Sequence, residues 1–399
     1  MKRTYIGPLA IAAVVGGLLI GMAFATAVGP SPGQSAAPSS CTTANPSGDA
    51  SSTPIPSPSP TATPAPTPTP SPTPVPTPSP VAAPLTGRLV PPKVAAQHPI
   101  AVMVDDLGAA RPQSGFNSAS VVWQAPAEGG IPRYMMIFQE TIPKTVGPVR
   151  SARYYYIAWA AEWRALYAHA GGSPQALRTL REKGSGQLVF NADQFRWGKS
   201  FWRVKDRFAP HNLYTNGKNL RGIARTVKAT DKPMKAVWKF GPDLQEDYRP
   251  RGGRIEVAYA YNRIRYDYDW RSNTYLRSVT GEKKQIDAAT GKRVAPKNVV
   301  IMLVKFGPLN DGSRKNRLEA QVIGSGTAWI STNGTTIKGK WKKASLTKPT
   351  LFFDAKGKAV TLTVGQTFVQ VMQTGTKVTI KRGSPPPPPD PFSPGLNPR

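Results

Sequence analysis

Hydrophobic and polar positions follow different rules in successive stretches of this chain. Residues 9–28 are almost continuously apolar and follow Lys2 and Arg3. Residues 54–80 place proline at every second position except Ala62. From about Pro99 short apolar runs alternate with turn-forming stretches. Residues 100–104 run directly into Asp105 and Asp106, which predicts a buried strand with acidic groups at its C-terminal end. Residues 121–123 and 134–138 predict two more strands. The alanine- and aromatic-rich stretch 152–166 predicts a helix, and residues 167–170 another strand. Gly171-Gly172 follows, then Ser173 as an N-cap and Pro174 at the first helical position, so a helix is predicted through about Arg181.

Beyond residue 250 a period of two takes over. Residues 256–268, 275–279, 298–306, 319–323, 327–331, 348–353, 359–364 and 368–372 predict strands. Turns are expected at Asn310-Asp311-Gly312, at Thr332-Asn333-Gly334 and over residues 354–357. The fold class that follows is a layered α/β or α+β domain over residues 94–245, with a smaller β-rich domain over residues 246–378.

The flanks read differently. Residues 31–93 are dense in Ser, Thr and Pro and cannot bury enough apolar surface to fold, so they predict a disordered stalk. Its proline alternation favours polyproline II, in which residues 54–80 extend roughly 80 Å at about 3.1 Å per residue. Residues 379–399, with five consecutive prolines from Pro385 to Pro389, predict a disordered tail. Residues 1–30 fit either a signal sequence, with Ala25-Thr26-Ala27 suited to cleavage, or a retained membrane anchor of about 20 apolar residues. Lys2 and Arg3 would stay in the cytoplasm, which places the remainder outside it, membrane-anchored or secreted.

Charge sharpens this picture. The chain carries +30, and the residues before 94 and after 380 contribute only +3 and +2 of it. A surface this basic attracts anions. Outside the cytoplasm these are lipid headgroups or anionic wall polymers. Nucleic acid is not expected as a partner, because the chain has no zinc-finger spacing, no phosphate-binding glycine loop and no regular basic helix. The single cysteine, Cys41, excludes an internal disulfide and leaves the folded part without a thiol nucleophile. The basic run 338–343 reads as a solvated face, and Trp329 and Trp341 as core.

Candidate chemistry concentrates in the first half. Arg111, then Glu128 with Arg133, then Arg150 and Arg153 lie in turn-rich segments. Converging with Asp105, they would form a cleft of carboxylates and guanidinium groups, and arginine suits carboxylate or phosphate recognition through paired donors. Such a cluster also fits charges that merely pin loops to one another. His169 beside Gly171-Gly172, and His211 followed by Asn212, are candidates for proton exchange or for structural hydrogen bonds. His98 is read as lying at the stalk edge without a role. No compact ligand spacing supports a metal site, and no cofactor is expected.

The same residues carry a family likeness. Residues 101–105, 110–115, 128–133, 146–153, 169–173 and 209–215, with 322–326 and 365–370 later, resemble the YerB-like family of bacterial lipoproteins, DUF3048, in order. The resemblance covers roughly residues 98–373. It implies an α/β-type N-terminal domain, a β-rich C-terminal domain and envelope attachment, and it supplies no mechanism. One departure is that no cysteine follows directly on the apolar segment, where such lipoproteins carry their lipid.

Three functions remain open at this level. The leading one is an envelope-localised binding or accessory protein that recognises an anionic or glycan-like wall or membrane-surface component. There Arg111, Arg133, Arg150 and Arg153 would bind, Asp105 and Glu128 would orient these arginines or contact hydroxyls, and His211 and Asn212 would complete the rim. The second is a metal-independent hydrolase of an envelope polymer, with Asp105 or Glu128 as acid or base and His169 or His211 as proton-transfer partner. The third is a scaffold for another envelope protein.

Overall fold

A computed structural model describes residues 78–386, so the predicted signal or anchor segment, most of the proline ladder and the end of the tail lie outside the described residues. In chain order the main elements are β1 (Ile100–Asp105), β2 (Val121–Pro126), β3 (Pro132–Phe138), α1 (Tyr154–Ala160), β4 (Leu166–His169), α2 (Pro174–Lys183), β5 (Phe190–Asp193) and α3 (Gly217–Thr226). They continue with β6 (Arg254–Ala258), β7 (Arg263–Asp269), β8 (Thr274–Val279), β9 (Asn298–Val304), β10 (Gly324–Thr332), β11 (Thr335–Lys343), β12 (Leu351–Phe353), β13 (Thr367–Gln373) and β14 (Thr379–Lys381). The first half mixes helices with strands, and the second is mostly strand.

One ten-stranded sheet, in the order β12-β11-β10-β9-β13-β2-β3-β1-β4-β5, draws on both halves. They meet where β13 runs parallel to β2, with Thr367 opposite Val121 and Gln370 opposite Gln124. On one face of the sheet Met103, Trp123 and Met135 pack against Tyr155, Tyr156 and Trp159 of α1 and against Ala176 and Leu180 of α2. Trp123 and Trp159 stack at 4.7 Å. On the other face Val102, Val122 and Phe368 pack with Leu220 and Ile223 of α3 and with Ile255, Ile264 and Tyr266 of a second sheet, β8-β7-β6-β14.

Local chemistry explains the element ends. Ser173 accepts a hydrogen bond from the Ala176 amide, which caps α2 as its sequence predicts, with Pro174 at the first position. The predicted helix 152–166 is shorter than its composition implies. α1 ends at Ala160, a 3-10 turn covers Ala161–Trp163, and Arg164 turns left-handed (φ 47°), so that Leu166 enters β4. The Asn333-Gly334 turn, both residues at positive φ (47° and 74°), closes the β10–β11 hairpin. A Cβ on Gly334 would lie 2.3 Å from the Tyr268 ring, so glycine is required there on two counts.

Folding extends past both composition boundaries. Strands Val81–Ala82 and Leu89–Val90 pair, Leu85 fills the main apolar cluster, and the Thr86 carbonyl accepts from the Gly365 amide at 2.8 Å. Residues 78–93 are therefore part of the fold rather than of a disordered stalk. At the other end β14 pairs with β6, and Ser384 bridges Arg251, so the tail joins the fold before it leaves the described residues. His98 is buried between the carbonyl oxygens of Arg164 and Thr230, edge-on to Phe190, and is a structural residue. Among the described residues no helix is long and apolar enough to cross a membrane.

Candidate functional site

The pairings orient β5, β4, β1, β2, β13 and β9 in one direction, so their C-terminal ends share one edge of the large sheet. Ligands of open α/β sheets bind outside that edge. Here it gathers the charged residues. Asp105 ends β1, Glu128 lies in the turn after β2, and Arg133 is the second residue of β3, directly opposite Asp105. Arg150 and Arg153 lie on the segment leading into α1. That segment rests on the Gly171-Gly172 turn, where Ala170 N donates to Arg150 O and Ala152 N donates to Gly171 O. A Cβ on Gly172 would approach the Ala152 carbonyl oxygen to 3.1 Å, so the glycine lets the two segments meet.

Asp105 is the anchor. Its side chain has no solvent exposure, and Oδ2 lies 3.0 Å from Arg150 Nε and 2.7 Å from His211 Nδ1. Its Oδ1 lies 3.3 Å from Arg133 Nη1 and accepts from the Leu107 amide. Burial alone would push the Asp105 carboxyl up, but Arg133, Arg150 and His211 together hold it below the ordinary carboxylate value. Glu128 forms a second knot. Arg153 pairs with Oε1, Arg133 reaches Oε2 at 4.0 Å, and Arg317 reaches Oε1 at 4.0 Å. Burial lowers the Arg153 and Arg150 values, against which Asp105 raises that of Arg150.

Six of the nine sequence-predicted site residues thus converge: Asp105, Glu128, Arg133, Arg150, Arg153 and His211. The other three are placed elsewhere. Arg111 pairs with Asp106 and donates to Asn262 Oδ1 at 2.6 Å and to Thr280 O at 2.7 Å. It belongs to a buried polar seam between the sheets in which Gln124 and Asn262 donate to Asp106 and Arg277 donates to Gln124 and Tyr266. Burial holds the Asp106 carboxyl above its ordinary value despite Arg111 and Arg277. His169 is buried, with Gly171 O and Asn191 Oδ1 each 2.8 Å from a ring nitrogen, and burial lowers its value. Asn212 clamps its own hairpin, donating to the carbonyls of Val204 and Arg207 and accepting from Arg203.

Sequence reasoning missed Arg317. It enters from the connection between Phe306–Pro308 and Leu318–Ala320, far along the chain from Glu128, and no local motif marks it. It also lines a cavity of about 470 Å³, mainly apolar, walled by Pro126, Tyr259, Phe306, Leu318 and Met372. The charge cluster and this cavity therefore adjoin. Among the described residues no three metal-ligating side chains come together.

Comparison with known sequences bears on the same segments. Residues 85–230 match the family described as "Protein of unknown function (DUF3048) N-terminal domain", and residues 255–369 match its C-terminal domain. The chain belongs to the DUF3048 family. A DUF3048 relative, "Putative lipoprotein YerB" of Bacillus subtilis (strain 168), is 31% identical over 308 residues, covering 75% of this chain and 88% of that protein. The crystal structure of the YerB protein from Bacillus subtilis superimposes with a TM-score of 0.66 at 27% identity, over 75% of this chain and 99% of that one. The two DUF3048 segments are not separate sheets in this chain, because β2 of the first and β13, which begins within the second, are hydrogen-bonded neighbours.

Proposed function

We propose that this is an envelope-localised binding or accessory protein whose Arg150–His211 site takes the anionic group, carboxylate or phosphate, of a wall or membrane-surface component. The observation that carries the reading is the division of labour around Asp105. The carboxylate is fully buried and already shared among Arg133, Arg150 and His211, whereas Arg150 and His211 remain 18% and 17% exposed. Arg150 meets Asp105 through Nε, which leaves its two terminal nitrogens for a ligand. His211 uses Nδ1 and keeps Nε2. The Arg150 donors are left for a ligand and the Asp105 acceptor is spent, an arrangement that suits capture of an anion, while His211 Nε2 joins as a donor only in the imidazolium form. The name of the Bacillus subtilis relative includes the word lipoprotein, which supports a place at the envelope for this chain.

One observation favours a second reading. A carboxylate on His211 Nδ1 with Nε2 free is also how an imidazole is oriented as a general base, so a hydrolase of an envelope polymer would use His211 in that role.

The test is to incubate the full-length, detergent-solubilised protein with purified envelope material, separate bound from soluble fractions and analyse the soluble products by mass spectrometry. Retention without new fragments is expected. Arg150→Gln should weaken retention at least tenfold, corresponding to the loss of a charge-assisted contact of about 1.5–3 kcal/mol. New fragments that vanish in His211→Ala would establish the hydrolase instead. Neither retention nor fragments would point to a protein partner.

A further inference from the structure

Segment 195–208 exposes aromatic rings and cations together. Phe208 is 91% exposed, Phe195 77% and Trp202 36%. Arg196, Lys199, Arg203 and Lys205 are exposed among them, against the single exposed acid Asp206. The exposure of Phe208 is built in. Trp202–Arg203 pairs with Leu213–Tyr214, Asn212 clamps the chain at Val204 and Arg207, and Arg207 donates to the carbonyls of Ala110 and Pro112. The hairpin tip is held on both sides while the Phe208 ring stays in water. Phe195 follows the end of β5, its amide bonded to Asp193 Oδ1 at 3.2 Å.

We propose that this segment docks onto the headgroup layer of an anionic bilayer, with Phe195 and Phe208 entering the acyl boundary and Arg196, Lys199, Arg203 and Lys205 facing lipid phosphates. Phenylalanine carries no polar atom, so an anionic polysaccharide would satisfy the cations yet leave both rings in water. A bilayer interface takes both kinds of group. The position agrees. β1, β4 and β5 are parallel neighbours, so their ends lie about 5 Å apart from strand to strand, and Phe195 and His211 rise from the same edge. His211 N donates to Phe208 O at 2.9 Å, so docking would bring the Arg150–His211 site close to the headgroups. The surface uses neither Arg150 nor His211 and stands or falls apart from the anion reading.

The test uses the full-length chain with Cys41→Ser and Asp206→Cys, labelled with bimane at the new cysteine and reconstituted into vesicles. In phosphatidylcholine–phosphatidylglycerol vesicles the emission should shift to the blue and be quenched by nitroxide lipids, at least twofold more than in phosphatidylcholine alone. Phe195→Ser with Phe208→Ser should return the label to its aqueous spectrum, with the near-ultraviolet circular dichroism and the His211 anion response unchanged. Absence of quenching in anionic vesicles, or quenching that survives the double replacement, would overturn the proposal. A label that responds to soluble poly(glycerol phosphate) and not to vesicles would also overturn it, in favour of a polymer.

Discussion

Asp105→Asn is expected to destabilise the fold by about 3–5 kcal/mol, read as a fall in the denaturation midpoint with little change in slope. The side chain is fully buried, and its removal as an anion leaves Arg133 and Arg150 together without their shared counter-charge and takes the carboxylate from His211 Nδ1. The effect has a defined pH signature. The folded-state value of Asp105 is depressed, so its contribution is complete above the unfolded carboxylate value of about 3.9 and is lost as pH falls through the folded value. The wild-type advantage over Asp105→Asn should therefore shrink below about pH 4. A deficit that did not depend on pH would show that packing, not charge, makes Asp105 essential.

Lys343→Met is expected to cost a similar amount, about 3–5 kcal/mol, at a place remote from the site. Lys343 Nζ lies 2.9 Å from Glu162 Oε1 with both side chains fully buried, and it also donates to Lys348 O. Without the ammonium, Glu162 keeps only the Thr350 hydroxyl as a side-chain donor. Burial already raises the Glu162 value and lowers that of Lys343. Protonating Glu162 would relieve the variant, so its deficit should narrow on acidification. Replacing both partners, Glu162→Leu with Lys343→Met, should recover most of the loss, because a buried pair stabilises little beyond a well-packed apolar pair. Urea denaturation of the two variants at pH 7 and pH 5 checks both statements.

Lys343 also marks a limit of reading from sequence. The run 338–343 suggests a solvated face, and Lys338, Lys340 and Lys342 are indeed exposed, but the strand period turns Trp341 and Lys343 inward. The density of lysine hid a strand whose alternation was present all along. The reverse happened over residues 152–166, where apolar residues on every side fit a buried helix and a buried strand equally, and the 3-10 turn Ala161–Trp163 with Arg164 at positive φ separates α1 from β4. Elements with one clear signal were legible: the β1 run ending in Asp105, and the Ser173-Pro174 start of α2. Within the site, Arg133, Arg150, Arg153 and Glu128 could be picked out because guanidinium groups and a carboxylate sit in turn-rich segments. That Arg111 turns away toward Asn262, that Arg317 arrives from the second half, and that β13 inserts beside β2 are long-range outcomes with no local trace.

An anion held by Arg150 and His211 over a buried Asp105 would be seen directly at the His211 ring. The chain has three histidines, and two of them, His98 and His169, are buried with both ring nitrogens engaged. In a protein labelled with ¹⁵N at its histidine rings, titration with purified anionic wall polymer should shift the His211 ring signals alone, and Arg150→Gln should abolish the shift. Polymer that binds while His211 stays unmoved would contradict the account.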